Sequence, residues 1–267
     1  MGASQPLVSI VTPSFNQAAY LELTLRSVLE QDYPRIEYIV IDGASTDGSR
    51  QLIQRYAPRL AHWVSEPDLG QTDAINKGFS IAHGDIYAWL NSDDTYRSGA
   101  VAEAVKYLTR HPEIGMVYGQ AYYIDPAGKI VGRYPAGPTD HRRLRQGVAT
   151  IPQQATFFRS SLWRMVGPLD PTFYYAMDYD LWVRISGLSP IAFVRRPWAN
   201  FRLHDTSKSL REAFRCWPEM MRVHFRDGGS RASLLYLKYL VRRVVEPVMP
   251  WRMKIRRWLY SLERRPS

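Results

Sequence analysis

Residues 87–96 read YAWLNSDDTY. Apolar side chains run to Leu90, and Asn91 and Ser92 then lead into two adjacent carboxylates, Asp93 and Asp94. A short apolar run bounded by polar residues predicts a buried strand over 86–90. Two like charges at its end repel each other and are costly inside a core, so they must face a compensating partner. In open α/β sheets ligands bind beyond the carboxyl ends of the strands, which is where this pair would stand.

Working outward, Leu7–Pro13 (LVSIVTP) and Glu37–Asp42 (EYIVID) are β-branched runs of the same kind, and 62–65 is a fourth strand. Between them 18–31 places Leu21, Leu25, Val28 and Leu29 on one helical face, with Asn16 as its expected cap. Segments 46–55 and 71–83 read as further helices. Strand and helix alternate, which predicts a parallel α/β sheet. Past Asp94 come a helix over 99–110, a strand over 116–121 and a hairpin turning at Asp125–Gly128, which makes the sheet mixed. Residues 135–152, rich in Pro, Gly and basic side chains, read as a mobile loop.

The strand ends carry the candidate chemistry: Thr12, Pro13, Ser14 and Asn16; Asp42 with Gly43 and Ser45; and Asn91 to Asp94. Asp42 could accept from a base N–H or a ribose hydroxyl, although Asp-Gly after a strand is more often only a turn. A hard divalent cation held by one or two carboxylates keeps positions open for phosphate oxygens, so Asp93 and Asp94 suit Mg²⁺ or Mn²⁺ beside a diphosphate. A solvated helix start is the competing reading of the same pair.

TPSFN, IDGASTDGS, GQTDAINKG, WLNSDD and MDYDLW, in this order across residues 7–210, resemble the inverting family 2 glycosyltransferases of the GT-A fold. The resemblance implies a Rossmann-like mixed sheet flanked by helices over residues 1–210, with 211–267 left as a basic, amphipathic helical tail. It implies that Thr12, Pro13, Ser14 and Asn16 lie under a nucleotide-diphosphate sugar, with Asp42 facing the base and Ser45 in the same pocket. Gln71, Asn76, Lys77 and Asn91 would line the nucleotide-sugar. Asp93 would stand near the ribose and Asp94 on the metal. His204 would be a second metal ligand, with Arg202 and Lys208 toward the diphosphate. Gln153 and Gln154 fall where the family builds its acceptor face.

Inverting transfer needs a carboxylate to take the acceptor proton, and the resemblance assigns that to Asp178. Many relatives carry Glu-Asp there. This chain has Met177 in place of the Glu. The competing reading is that Asp178 and Asp180 favour the positive end of the helix DYDLWVRI. The expected activity is metal-assisted transfer of a sugar to a hydroxyl on a saccharide or lipid-linked acceptor. Its rivals are a non-catalytic nucleotide- or carbohydrate-binding protein on the same fold, and a nucleotidyltransferase. The last is disfavoured because no Gly-rich, Lys/Arg-bearing triphosphate loop is evident near residue 1.

Of the net charge of +10, residues 211–267 supply +9, holding fourteen Lys/Arg and five Asp/Glu. From Trp251 the residues Ile255, Trp258, Leu259 and Leu262 recur at helical spacing among arginines, and Leu234–Val245 gives a shorter version. This pattern predicts peripheral attachment to an anionic membrane surface, with no recognised nucleic-acid module to suggest the other polyanion. The lone Cys216 excludes an intramolecular disulfide. The sequence shows no secretory signal and no apolar run long enough to span a bilayer, so a cytoplasmic protein on the inner face of the membrane is expected.

Overall fold

The computed structural model describes residues 5–147, 150–205 and 216–245. Its elements run β1 (Val8–Ser14), α1 (Ala18–Leu29), β2 (Ile36–Asp42), α2 (Ser49–Tyr56), β3 (His62–Ser65), α3 (Gln71–Ser80), β4 (Ile86–Trp89), β5 (Thr95–Tyr96) and α4 (Ala100–Arg110). There follow β6 (Met116–Ile124), β7 (Ile130–Arg133), α5 (His141–Arg145), β8 (Thr156–Arg159), α6 (Ser160–Val166), α7 (Met177–Leu188), β9 (Ile191–Arg202), α8 (Cys216–Arg226) and α9 (Leu234–Val245). The strands form one mixed sheet in the order β3-β2-β1-β4-β8-β6-β9-β5, with β7 paired to β6.

The parallel half is built as the alternation predicts. β1 pairs with β2 from Val8↔Ile36 to Ser14↔Asp42, and β3 adds Asp42↔Ser65. Ser14, Asp42 and Ser65 therefore lie in one row at the carboxyl edge. β4 pairs with β1 on its other side, Val11 opposite Trp89. Side chains alternate between two buried layers: Val8, Ile10, Ile86 and Ala88 face the layer that holds α1, α2 and α4, while Val11, Tyr87 and Trp89 face the layer that holds α3, α6, α7 and α8. Gly78 lets α3 lie close on β1, since a Cβ there would fall 2.5 Å from Val11 Cγ1. Trp89 stacks on Trp182 of α7, ring centroids 5.3 Å apart, which registers α7 against the strand that ends in the carboxylate pair.

Two expectations are corrected. Asn16 does not cap α1 with its side chain; its Oδ1 accepts from the Thr46 amide, and Asp47 reaches across to accept from the Ala18 amide. Residues 135–152 are not wholly irregular: Asp140 accepts from the Arg143 amide and starts α5, whose Leu144 is buried. Packing also runs past residue 210. Met220 and Val223 of α8 belong to the same buried cluster as Trp89, Met177 and Trp182. The residues from Trp251 onward lie outside the described residues, as does Lys208.

Candidate active site

The loops after β1 and β2 hold each other. Asn16 and Ala44 adopt left-handed backbone, φ 50° and 61°, which non-glycine residues adopt at a cost. Cross-loop bonds fix both: the Asn16 amide donates to Ser45 Oγ at 2.8 Å, and Gly43 donates to the Ser14 carbonyl at 2.9 Å. Asp42 lies beneath them with no exposed surface. Its carboxylate accepts from the Ser45 amide, Ser45 Oγ and Ser65 Oγ at 2.5–2.9 Å. Asp42 thus orients the loop from below and does not face a base in this conformation. A residue that does reach that edge was missed: Asp68, after β3, whose Oδ2 stands 2.8 Å from where a Cβ on Gly43 would be. The strand-end rule that selected Asp42 would have selected it too.

Thr12 and Pro13 are likewise floor, not lining. Thr12 is fully buried and its hydroxyl shares a 2.9 Å hydrogen bond with Tyr38. Ser14 differs, because its buried Oγ has no hydrogen-bond partner among the described residues.

Helix α3 divides its labour. Gln71 Nε2 donates to Asn91 Oδ1 at 2.7 Å, Asn91 Nδ2 to Gln153 Oε1 at 3.3 Å, and Gln153 Nε2 to the Trp89 carbonyl at 2.7 Å. Three amides that the sequence placed on separate motifs form one chain across the end of β4. Gln154 is buried instead, with no partner for its Nε2 among the described residues, so it does not present itself to an acceptor from outside. Asn76 spends both ends of its amide on the Leu169 backbone, at 2.9 and 3.0 Å, and so braces the loop before α7. Lys77 pairs with Asp73 at 3.2 Å and Glu66 at 3.5 Å on the rim.

The carboxylate pair is split in direction. Asp94 is buried; its Oδ1 accepts from the Arg202 amide at 2.9 Å, and its Oδ2 has no hydrogen-bond partner among the described residues. Burial, with Asp93's charge adding to it, pushes the Asp94 carboxyl well above the usual carboxylate range, against the Arg202 amide and charge and the Asn91 side chain. Asp93 turns the other way, its Oδ2 lying 2.9 Å from His204 Nε2. Arg202 does not point at a diphosphate. It is 1% exposed, and its guanidinium donates to the carbonyls of Asp93, Asp125 and Pro126 while lying 4.9 Å from the Tyr20 ring centre. The end of β9 therefore clamps the SDD backbone with Arg202 and brings His204 to its outer carboxylate.

These residues suit a divalent cation. The orphaned Asp94 Oδ2 and the Asp93–His204 pair supply the oxygen and imidazole donors Mn²⁺ or Mg²⁺ accepts. Among the described residues no three His, Cys, Asp or Glu side chains converge as a closed metal cage. Such a small donor set matches a site that a diphosphate completes.

Asp178 stands at the first turn of α7, half-buried, its Oδ1 accepting from the Tyr179 amide. Its neighbour Met177 accepts from Thr72 Oγ1 at its Sδ, 2.9 Å away, and Thr72 follows Gln71 of the amide chain. Asn91 and Asp178 are thereby linked by direct contacts and adjacent residues alone. Burial, with Asp178's charge adding to it, pushes the Tyr134 phenol well up. Asp180 is fully buried between Arg184, at 2.9 Å, and Arg226.

The mixed α/β sheet thus carries an acidic pair beyond the end of β4, and α7 carries a separate carboxylate at its first turn. The sequence profile described as Glycosyl transferase family 2 matches residues 9–166. An uncharacterized glycosyltransferase of Mycobacterium tuberculosis is 34% identical over 248 residues, covering 88% of this chain and 91% of that protein. The putative teichuronic acid biosynthesis glycosyltransferase TuaG of Bacillus subtilis is 36% identical over 107 residues, covering 39% of this chain and 42% of TuaG. The chain belongs to glycosyltransferase family 2 and is a transferase.

Two solved structures share the fold. Staphylococcus aureus TarS 1-349, in complex with UDP-GlcNAc, superposes with a TM-score of 0.66 at 15% identity, over 81% of this chain and 66% of that one. The mannosyltransferase PcManGT of Pyrobaculum calidifontis, in complex with GDP-Man and Mn²⁺, gives a TM-score of 0.64 at 21% identity, over 91% and 70%. The mixed sheet flanked by helices is thus the GT-A architecture.

Proposed function

We propose that this glycosyltransferase moves a sugar from a nucleotide-diphosphate donor to a hydroxyl acceptor with inversion, and that Asp178 is the general base. The observation that supports this reading is the continuous linkage from Asn91 through Gln71, Thr72 and Met177 to Asp178, which ties the helix start carrying this half-buried carboxylate to the end of β4. Asp178 would take the acceptor proton as its oxygen bonds to the anomeric carbon, and the bond from that carbon to the diphosphate oxygen would break on the opposite face. Asp93 and His204 would hold the cation, with Asp94 behind them. When bound, Mn²⁺ or Mg²⁺ offsets charge developing on the leaving diphosphate. This reading moves the cation contact from Asp94 to Asp93, because His204 meets Asp93. Asp68 and Ser45 would take the base side, and the Asn91–Gln153 amides the sugar side.

The complexes of TarS with UDP-GlcNAc and of PcManGT with GDP-Man and Mn²⁺ support a donor of this class with a metal. TuaG's part in teichuronic acid biosynthesis supports a setting in polysaccharide assembly. The exposed Leu234, Leu237, Leu240 and Val241 of α9, beside Lys238 and Arg243, support peripheral contact with an anionic membrane carrying a lipid-linked acceptor. Among the described residues no helix is long and apolar enough to cross a membrane.

Thermal shift against UDP-, dTDP- and GDP-sugars with Mn²⁺ tests the donor class. A true donor at about a hundred times its Kd stabilises the fold by about 2.7 kcal/mol, and no shift with any of them would count against the reading.

A further inference from the structure

The residue that replaces the family's acidic partner at 177 is buried Met177, committed to Thr72. A carboxylate nevertheless arrives at the same helix start from elsewhere in the chain. Glu219 of α8 accepts from the Tyr174 amide at 3.0 Å through Oε1, and from the Tyr175 and Ala176 amides at 2.7 and 2.8 Å through Oε2. Ala176 is the residue that caps α7 and has no side chain able to do so. A carboxylate accepting three amides at a helix N-terminus is a strong, charge-assisted arrangement.

Glu219 does not act alone on this loop. Arg222 donates to the Thr172 carbonyl at 3.1 Å and to Thr172 Oγ1 at 2.6 Å, and lies 4.5 Å from the Phe173 ring centre. Arg226 pairs with Asp180. Residues 219, 222 and 226 follow helical i, i+3, i+7 spacing and so share one face of α8. That face meets the chain on both sides of Asp178: 172–173 and 174–176 before it, and 180 after it. Packing alone would be served by Met220 and Val223, which are already in the core cluster. The charged face adds directional bonds to the backbone that carries the base.

We propose that Glu219 is a positioning residue for sugar transfer: its carboxylate, reaching across from α8, fixes the 174–176 turn that leads into the first turn of α7, where Asp178 stands. This rests on the reading of Asp178 as base. The segment after residue 210 is then in part positioning apparatus for transfer, and Glu219 supplies to the start of α7, from elsewhere in the chain, a carboxylate that residue 177 lacks. Because a misplacement of about 1 Å can cost on the order of a hundredfold in rate, loosening this turn should fall on turnover and spare donor binding.

The test compares full-length wild type, Glu219→Ala, Glu219→Gln and Asp178→Asn. It measures kcat, donor Kd, and hydrogen exchange at the 174–176 amides and in β1 and β4. Glu219→Ala should lower kcat roughly ten- to hundredfold with donor Kd within about twofold, and speed exchange at 174–176 only. Glu219→Gln, which keeps one acceptor oxygen, should fall between it and wild type. A Glu219→Ala kcat within about twofold of wild type, with Asp178→Asn inactive, overturns this proposal and leaves the base reading standing. Full turnover in Asp178→Asn overturns the base reading, and this proposal with it. Loss of donor binding with faster exchange throughout β1 and β4 in both Glu219 variants overturns it in favour of a role in the fold alone.

Discussion

His204 Nε2 and Asp93 Oδ2 meet at 2.9 Å across 111 residues of chain, with the Tyr20 ring centre 4.7 Å from the imidazole. An imidazole and a carboxylate that touch at the ligand edge of the sheet are two donors a divalent cation would draw to itself. On this account Asp93 and His204 hold the cation. Asp93→Ala and His204→Ala should each reduce the gain in donor affinity that Mn²⁺ confers by at least about tenfold, a floor set by the cost of losing even an outer-shell partner. Donor titrations with and without Mn²⁺ check this, and an undiminished Mn²⁺ effect in both variants would refute the assignment.

Arg202 is the clamp behind that pair. Its guanidinium is buried and satisfies three carbonyls. Arg202→Ala strands those acceptors and opens a cavity, so it should cost about 3 kcal/mol or more of stability. Arg202→Lys should recover little of this, because an ammonium cannot reproduce the planar fork. Urea denaturation of both variants gives the measurement; a loss below about 1 kcal/mol in Arg202→Ala would contradict the clamp.

Much of this was legible and some was not. The β1, β2 and β4 ends are readable because a buried parallel strand is an apolar run that stops abruptly, and the row Ser14–Asp42–Ser65 follows from pairing such runs. The facing of those residues is not readable from type alone: Asp42, Arg202 and Gln154 look like ligand contacts, yet each is turned inward. Whether a polar side chain at a strand end points up or under depends on one step of the pleat and on its partners. Glu219 was invisible for a different reason. Its bonds span more than forty residues, and no local spacing marks them.

Glu37 gives the fold a readable pH dependence. Burial pushes its carboxyl up, but hydrogen bonds from Ser9 Oγ and from the His83 amide and ring outweigh this and hold it below its ordinary value of 4.5. A depressed native pKa contributes stability above 4.5 that is lost as pH falls through the native value. Glu37→Gln should therefore be less stable than wild type at pH 7, with the gap closing as both are acidified below 4.5. Thermal melts from pH 7 to 3 check it, and a gap that widens on acidification would be the wrong sign.

The α9 face makes a prediction about membranes. Leu234, Leu237 and Val241 are exposed, more than half so in each case, on a helix that also carries Lys238 and Arg243. A triple Leu234→Gln, Leu237→Gln, Val241→Gln variant should leave the fold stable and lower sedimentation with phosphatidylserine-containing vesicles at least several-fold. The substitutions leave α8 in place, whereas a chain cut at residue 210 would also remove Met220 and Val223 from the core. Equal sedimentation of variant and wild type would remove α9 from the membrane contact.

The most direct measurement is the paired donor binding and turnover of Asp178→Asn. The substitution keeps the size of the side chain and its acceptor for the Tyr179 amide while removing the basic oxygen. The account predicts donor affinity within about twofold of wild type and a kcat reduced at least about a hundredfold, the scale of positioned general-base catalysis. Unchanged turnover with unchanged donor binding would contradict it.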